Sequence, residues 1–383
     1  MYTLLLAVIY LAFISLGLPD SMLGAAWPTV YAELNVPISY MGIITMIVSV
    51  STIISSLLTD RVVAKVGTRV VTAISVLLTA VALFGFSCAK EFYHLCIIAV
   101  PYGLGAGAID ASLNNYVALH YNSRHMSWLH CFWGVGTIIS PYIMSYALTH
   151  SVWNQGYRIV SFIQLGIFAV LLCSMPLWKV NEKKNEEKIK VEPIGPIKAM
   201  KIKGVLPVIL GFLCYCATES TATLWASSYF EGAFAVSKDA AAALGALSFI
   251  GITVGRFISG FITERVGDSK MIRIGSAIAL VGIILVAVPV KAVAIAGYMI
   301  IGLGCAPIYP SIIHSIPTRF GVERSQSIIG IQMASAYLGS TLMPPLFGLI
   351  ADHISLSLMP IFLAFFVVMV LVMLAKADKE TLN

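Results

Sequence analysis

The sequence predicts an all-α membrane protein, with twelve transmembrane helices in two pseudo-symmetric six-helix bundles. Three observations carry this expectation. First, the chain is 59% apolar and only 11% charged, with a mean hydropathy of +0.91. A soluble domain carries about a quarter charged residues to keep a wet surface, so the outside of this molecule must meet lipid. Second, the apolar residues fall in runs of roughly 20, the length that crosses a bilayer core as a helix. Strands of a membrane barrel are about half as long and alternate in polarity, which these runs do not. Third, the two halves of the chain echo each other at a nearly constant spacing.

The runs lie at 3–31, 38–58, 70–88, 92–119, 127–149, 157–179, 205–230, 239–263, 270–290, 292–316, 325–350 and 355–376. Lipid offers backbone groups no partner, so each run should be a helix. The first lacks the basic start of a secretory signal and stays apolar past Asp20 to Trp27. It is expected to be a retained helix, loosened around Asp20 by Pro19 and Gly24. The second run stops at Asp60-Arg61, and the third lies between Arg69 and Lys90. The fourth is rich in glycine, and the fifth carries His130 and Trp133. After the sixth the apolar rhythm breaks: Lys179 to Lys203 holds eight lysines and four glutamates. This is expected to be a solvated linker, with a short amphipathic helix near Ile197–Ile202. The chain thus divides into a bundle at 1–179, a linker at 180–203 and a bundle at 204–383. In the second half, the eighth run ends at Glu264-Arg265 and the tenth carries Tyr309-Pro310.

Three matches define the internal repeat. Gly103-Leu-Gly-Ala-Gly-Ala-Ile-Asp110-Ala-Ser112 aligns with Gly302-Leu-Gly-Cys-Ala-Pro-Ile-Tyr309-Pro-Ser311 at an offset of 199. Gly136-Thr-Ile-Ile-Ser-Pro141 aligns with Gly339-Ser-Thr-Leu-Met-Pro344 at 203. Ser56-Leu-Leu-Thr-Asp60-Arg61 aligns with Gly260-Phe-Ile-Thr-Glu264-Arg265 at 204. One match among small residues is weak; three in corresponding runs indicate a parallel six-helix repeat, a plan that places a polar site between the halves.

Basic residues orient the chain. With both termini and the linker on one side, most of the 24 lysines and arginines fall there; only Lys90, Arg158, Lys238 and Lys291 fall opposite, and Arg256 lies inside a run. The crowded side is expected to be cytoplasmic, which puts the protein in the plasma (inner) membrane as a multi-pass chain. The net charge of +6 is then a topology signal and gives no reason to expect nucleic acid. Seven cysteines lie in or at the ends of runs, mostly singly, and read as buried small hydrophobes; no metal site is expected.

The Gly260-x-x-x-Glu264-Arg265-x-Gly267 stretch resembles the loop motif of the major facilitator superfamily. Its first-half copy, around Asp60 and Arg61, is degraded, with Ser56 where glycine is usual. The physical role would be a charged latch at a helix end. A narrower resemblance is to the fucose:proton symporter group and its glucose-transporting relatives. It rests on Gly17-Leu-Pro-Asp20-Ser-Met-Leu-Gly24-Ala-Ala-Trp27-Pro28, on the glycine-rich run ending in Asp110-Ala-Ser-Leu-Asn114, and on Tyr215-x-x-x-Glu219-x-x-x-x-x-Trp225. The family often has glutamate where this chain has Asp110. The resemblance implies uptake of a sugar driven by protons or sodium.

Of eighteen acids, only Asp20, Asp110 and Glu219 sit well inside runs. Ionised carboxylates there cost several kcal/mol, so they usually have a job and a wet or paired setting. These three are the candidate proton or cation coupling groups. Asp110 and Asn114 are four apart and share a helix face, as a titrating acid beside an amide that orients a hydroxyl. The alternative is an Asp locked to a neighbouring helix. Glu219 has Tyr215 one turn earlier, and its alternatives are substrate hydroxyls or a structural pair with Arg256. His130, Trp133, Tyr215, Trp225, Tyr309 and Trp27 are the remaining candidate substrate contacts. Packing is the alternative for His130, and interface anchoring for the aromatics, as expected for Trp153 and Trp178. Asp60, Arg61, Gly260, Glu264 and Arg265 are candidate gating residues.

Nothing in the sequence predicts an enzyme. There is no G-x-x-x-x-G-K-[ST] loop, and the Gly-x-Gly-x-Gly at 103–107 falls inside a membrane helix, where close packing explains it. The expected function is secondary active symport of a small polar solute, most simply a sugar, by a monomer that needs no cofactor beyond its coupling ion. Two rivals remain at this stage. One is a drug:proton antiporter, for which Gly136-x-x-x-Ser140-Pro141 is half a motif. The other is a sensor or lipid-modifying membrane protein without transport.

Overall fold

The computed structural model describes residues 2–186, 194–236 and 238–381. Eleven helical segments are long and apolar enough to cross a membrane among the described residues. They are spans 1 to 7 (Leu4–Glu33, Ile38–Val66, Thr68–Ser87, Phe92–His120, Ser123–His150, Trp153–Trp178, Val205–Phe234) and spans 9 to 12 (Asp268–Val286, Lys291–His314, Val322–His353, Leu356–Thr381). Helix Lys238–Val266, which carries Arg256 and ends in a charged turn, takes the eighth place and completes the twelve. Of the expected linker at 180–203, residues 187–193 lie outside the described residues. The helix of span 6 runs on to Glu186, and a short helix occupies Gly195–Ala199.

By contact the chain forms two compact units, Met1–Tyr116 with Phe132–Gly195, and Val117–Cys131 with Pro196–Asn383. The second unit therefore includes the end of span 4 and the start of span 5.

Glycines and hydroxyls hold each unit together, because helices in lipid gain nothing from expelling water and must instead pack closely and share hydrogen bonds. In the first unit, a Cβ on Gly103 or Gly107 of span 4 would strike the carbonyls of Val48 and Thr52 on span 2. Span 2 answers with hydroxyls: Thr52 donates to the Gly103 carbonyl (3.1 Å), Ser55 to Leu104 (2.6 Å) and Ser56 to Gly107 (3.3 Å). Ser56, the departure from the usual motif glycine, thus ties span 2 to span 4. Gly105 turns the other way, with the Ser75 carbonyl of span 3 at 2.9 Å from where its Cβ would be. The second unit makes the same contact with the small residues exchanged. The counterpart of Gly107 is Ala306 on span 10, and Gly255 of span 8, having no Cβ, leaves room for the Ala306 methyl. Gly251 does likewise against the Met299 carbonyl.

A second pair of crossings repeats as well. Gly17 and Gly136 let span 1 and span 5 meet backbone to backbone, and Gly339 of span 11 meets the Leu213 carbonyl of span 7. Two turns carry the repeat into the loops. Gly67 (φ 81°) joins spans 2 and 3, and Gly267 (φ 86°) joins spans 8 and 9. A Cβ on Gly267 would meet nothing, so the left-handed backbone, and not space, requires glycine there.

Several expectations need correction. The second and eighth helices do not stop at Asp60-Arg61 and Glu264-Arg265: they continue to Val66 and Val266, as charged turns project beyond the apolar stretch. Trp153 and Trp178 do not anchor at an interface. Both are buried; the Trp153 indole donates to Glu33 (2.7 Å), and the Trp178 indole donates to Ser174 (3.3 Å) while its ring lies against Tyr116. Cys88 and Cys173 are exposed, and only Cys214, Cys216 and Cys305 are buried hydrophobes.

Gly107→Ala should lower the thermal unfolding midpoint of the purified protein, because overpacking such a contact costs about 1–3 kcal/mol. Gly166→Ala, where a Cβ meets open space within a helix, should leave the midpoint unchanged or raise it.

Candidate functional site

The first unit builds its polar centre around a break in span 1. The helix stops at Gly17 and resumes at Met22. Pro19 has no N–H to continue it, and the chain turns through Leu18–Ser21, closed by Asp20 N–H to the Gly17 carbonyl (3.2 Å) and Met22 N–H to Pro19 (3.0 Å). Asp20 therefore sits on a turn in the middle of a 30-residue apolar span, with an exposed side chain. Its carboxylate accepts from the Trp133 indole (2.8 Å) and from the Tyr102 hydroxyl (3.3 Å). The Gly17–Gly136 crossing brings Trp133 this close: it lets span 5 lie against the break, one helical turn before Gly136. Tyr102 was not among the sequence candidates, and nothing in its local pattern marks it.

On span 4, Asn114 donates to both the carboxylate (2.8 Å) and the backbone carbonyl (3.0 Å) of Asp110. Both residues are buried. The i, i+4 spacing alone produces this contact.

The second unit builds a different centre. Arg256 of span 8, buried in the membrane interior, pairs with Glu219 of span 7 at 3.1 Å. Its guanidinium lies 6.0 Å from the ring of Tyr309. Around that ring gather His130 (4.6 Å, edge-on), Phe212 (4.6 Å) and Tyr215 (5.9 Å). Tyr309 reaches this position because span 10 breaks after Cys305 and restarts at Ile308. His130 and Trp133, one turn apart on span 5, thus serve different centres.

Two candidate rings lie elsewhere. The Trp27 indole donates to the Ile38 carbonyl (2.7 Å) from within the apolar core of the first unit. The Trp225 indole donates to the Pro344 carbonyl (2.9 Å) and packs over Gly348 and Phe347. Both tie helices together.

The charged latch residues find partners at the basic ends of the spans. Asp60 accepts from the Arg61 N–H (2.7 Å) and from the Gly195 N–H (3.3 Å). Glu264 pairs with Arg124 and accepts from Asn122 (2.6 Å). Trp128 lies on Gly260, where a Cβ would meet its indole; it stacks with Phe257 and meets Phe261 edge to face. Farther along, His314 bridges Asp268 (2.7 Å) and the Tyr121 carbonyl (3.2 Å). Span 5's first turns are thereby sewn to span 8 inside the second unit. Arg265 is exposed. Arg124, Trp128, His314 and Asp268 were not singled out from sequence, since each pairs with residues remote in the chain.

A duplicated twelve-helix body, with acids held inside each half, defines a multi-pass membrane protein. The family model described as Major Facilitator Superfamily matches residues 9–233 and 208–382, and the chain belongs to that superfamily. It is 23% identical to Bypass of stop codon protein 6 of Saccharomyces cerevisiae over 67% of this chain, although that match spans only 56% of the yeast protein. It is 23% identical to the glucose/mannose transporter GlcP of Bacillus subtilis, over 72% of this chain and 70% of GlcP. Among solved structures, the E. coli fucose:proton symporter FucP superposes with a TM-score of 0.77 at 13% identity, covering 98% of this chain and 99% of that one.

Removing one partner of a buried ion pair leaves the other uncompensated, at about 3–5 kcal/mol. Arg256→Met should therefore destabilise the protein strongly, and Arg256→Met with Glu219→Leu should recover most of the loss. Chemical unfolding of the two variants reads the difference; a double variant as unstable as the single would remove the pair from the fold.

Proposed function

We propose that the protein is a proton-coupled symporter of a small polar solute of the sugar class, working by alternating access in the inner membrane with the lysine-rich side cytoplasmic. The observation that carries this reading is the Asp20 turn. An exposed carboxylate in the middle of a membrane span, held by an indole and a phenol, offers what a sugar needs: acceptors for hydroxyls and an aromatic face for the C–H surface of the ring. Its setting also lets a proton reach it, and intramembrane acids so placed mark substrate and proton paths. Asp110 beside Asn114 is the second coupling group, with its proton stabilising the loaded state. The relatives support the solute class, since GlcP is named for glucose and mannose and FucP for fucose and protons.

Within the second unit, Tyr309, Tyr215 and His130 form an aromatic cluster, and the Glu219–Arg256 pair fixes its charge. The contacts of Glu264 and Trp128 form a latch that must part for release on the lysine-rich side. Gly136, half of the antiporter motif, has a packing role at the span 1 crossing, so it does not by itself favour that rival.

Uptake of labelled glucose, mannose and fucose into proteoliposomes, with an imposed pH or sodium gradient, tests the proposal. One of these sugars should accumulate under a proton gradient. Asp110→Asn should abolish accumulation while leaving sugar counterflow, and Trp133→Ala should weaken apparent sugar affinity at least tenfold. Full concentrative uptake by Asp110→Asn would sink the coupling role, and efflux of a lipophilic cation dye from whole cells would favour the antiporter instead.

A further inference from the structure

Between the two halves, the chain does not simply hang as a tether. Its last stretch is fixed at both ends. At one end the Gly195 N–H donates to Asp60 at 3.3 Å. At the other, Gly204 (φ 88°) lies against Thr381 and Phe320, so closely that a Cβ would collide with the Thr381 side chain. Thr381 is itself held by Arg319, which also binds Asp378 together with Arg273. Between these points the backbone winds through helix Gly195–Ala199 and successive turns: Met200 N–H to Pro196, Lys201 to Lys198, and Ile202 to Ala199. Ala199 is fully buried and fixes which face turns inward.

The outward face has a composition that water alone does not explain. Ile197 is 77% exposed and Met200, one turn on, is 36% exposed. Lys198, Lys201 and Lys203 flank them, all exposed. Two apolar side chains ringed by lysines, at the charged ends of membrane helices, have the makeup of a segment lying in a headgroup layer. The same lysines rule out a basic partner and favour an anionic one.

We propose that Pro196–Lys203 binds anionic phospholipid of the lysine-rich leaflet, with Ile197 and Met200 entering the acyl boundary and Lys198, Lys201 and Lys203 taking the phosphates. Its ends are held at Asp60, through the Gly195 N–H, and at Thr381, against Gly204. This surface is independent of the transported solute.

Titrating the purified full chain in neutral detergent with phosphatidylglycerol or phosphatidylcholine, while reading the thermal unfolding midpoint, tests the proposal. Phosphatidylglycerol should raise the midpoint saturably and phosphatidylcholine should not. Lys198→Gln with Lys201→Gln and Lys203→Gln should raise the half-saturating phosphatidylglycerol at least tenfold. Lys65→Gln with Lys270→Gln, equally basic positions elsewhere on that side, should leave it unchanged. A triple variant that responds like the parent, a control that responds like the triple variant, or equal effects of the two lipids would overturn the proposal. A second measurement does not depend on the triple variant folding: a fluorophore on Ile197→Cys, in a background lacking the exposed Cys88 and Cys173, should be quenched by brominated phosphatidylglycerol in vesicles. An unquenched label would show the face covered by something else, such as the preceding part of the linker, and would equally overturn it.

Discussion

A helix in lipid has no water to escape from, so two helices stay together only if their backbones come close enough for dispersion and shared hydrogen bonds. In this protein that closeness is created by glycine at several crossings, among them span 4 on span 2, span 8 on span 10, span 5 on span 1, and span 11 on span 7. The candidate site depends on these contacts. The span 1 crossing brings Trp133 to Asp20, and the span 2 crossing fixes the helix that carries Asp110. The hydroxyls of Thr52, Ser55 and Ser56 add hydrogen bonds to span 4 carbonyls in the same interface.

The two halves meet the cost of charge in the membrane by opposite means. In the first, Asp20 sits on a helix break and is held by neutral donors, the Trp133 indole and the Tyr102 hydroxyl. In the second, Glu219 is paired with Arg256, and the cation lies near the Tyr309 ring. An acid held by neutral groups is not committed to a counter-charge; a paired one chiefly sets a fixed field. The duplication that made the halves alike in helix packing has left them unlike in chemistry.

The fold was legible in the sequence because it follows from run length and repeat spacing, both local or periodic. The same holds for the Asp110–Asn114 contact, which needs only the pitch of one helix. The break in span 1 was foreshadowed by Pro19 and Gly24, and the repeat offset pointed to Tyr309, though not to the break beside it. Aromatics were misjudged most often. Trp153 and Trp178 carry the signature of interface anchors, yet a tryptophan whose N–H finds an internal acceptor is indistinguishable in sequence from one that faces headgroups. Tyr102 and Trp128 could not be singled out at all, since their partners lie 82 residues away at Asp20 and far along the chain at Gly260.

The seat of Trp128 on Gly260 carries a consequence for how this lineage varies. The indole occupies the volume that any side chain at Gly260 would need, and neither residue belongs to the other's sequence half. Two positions so joined do not drift separately. A larger residue at the one is tolerable only in chains that have already shrunk the other, so descendants should inherit the pair as a single character. In this chain the glycine of the loop motif answers to a tryptophan on a different helix.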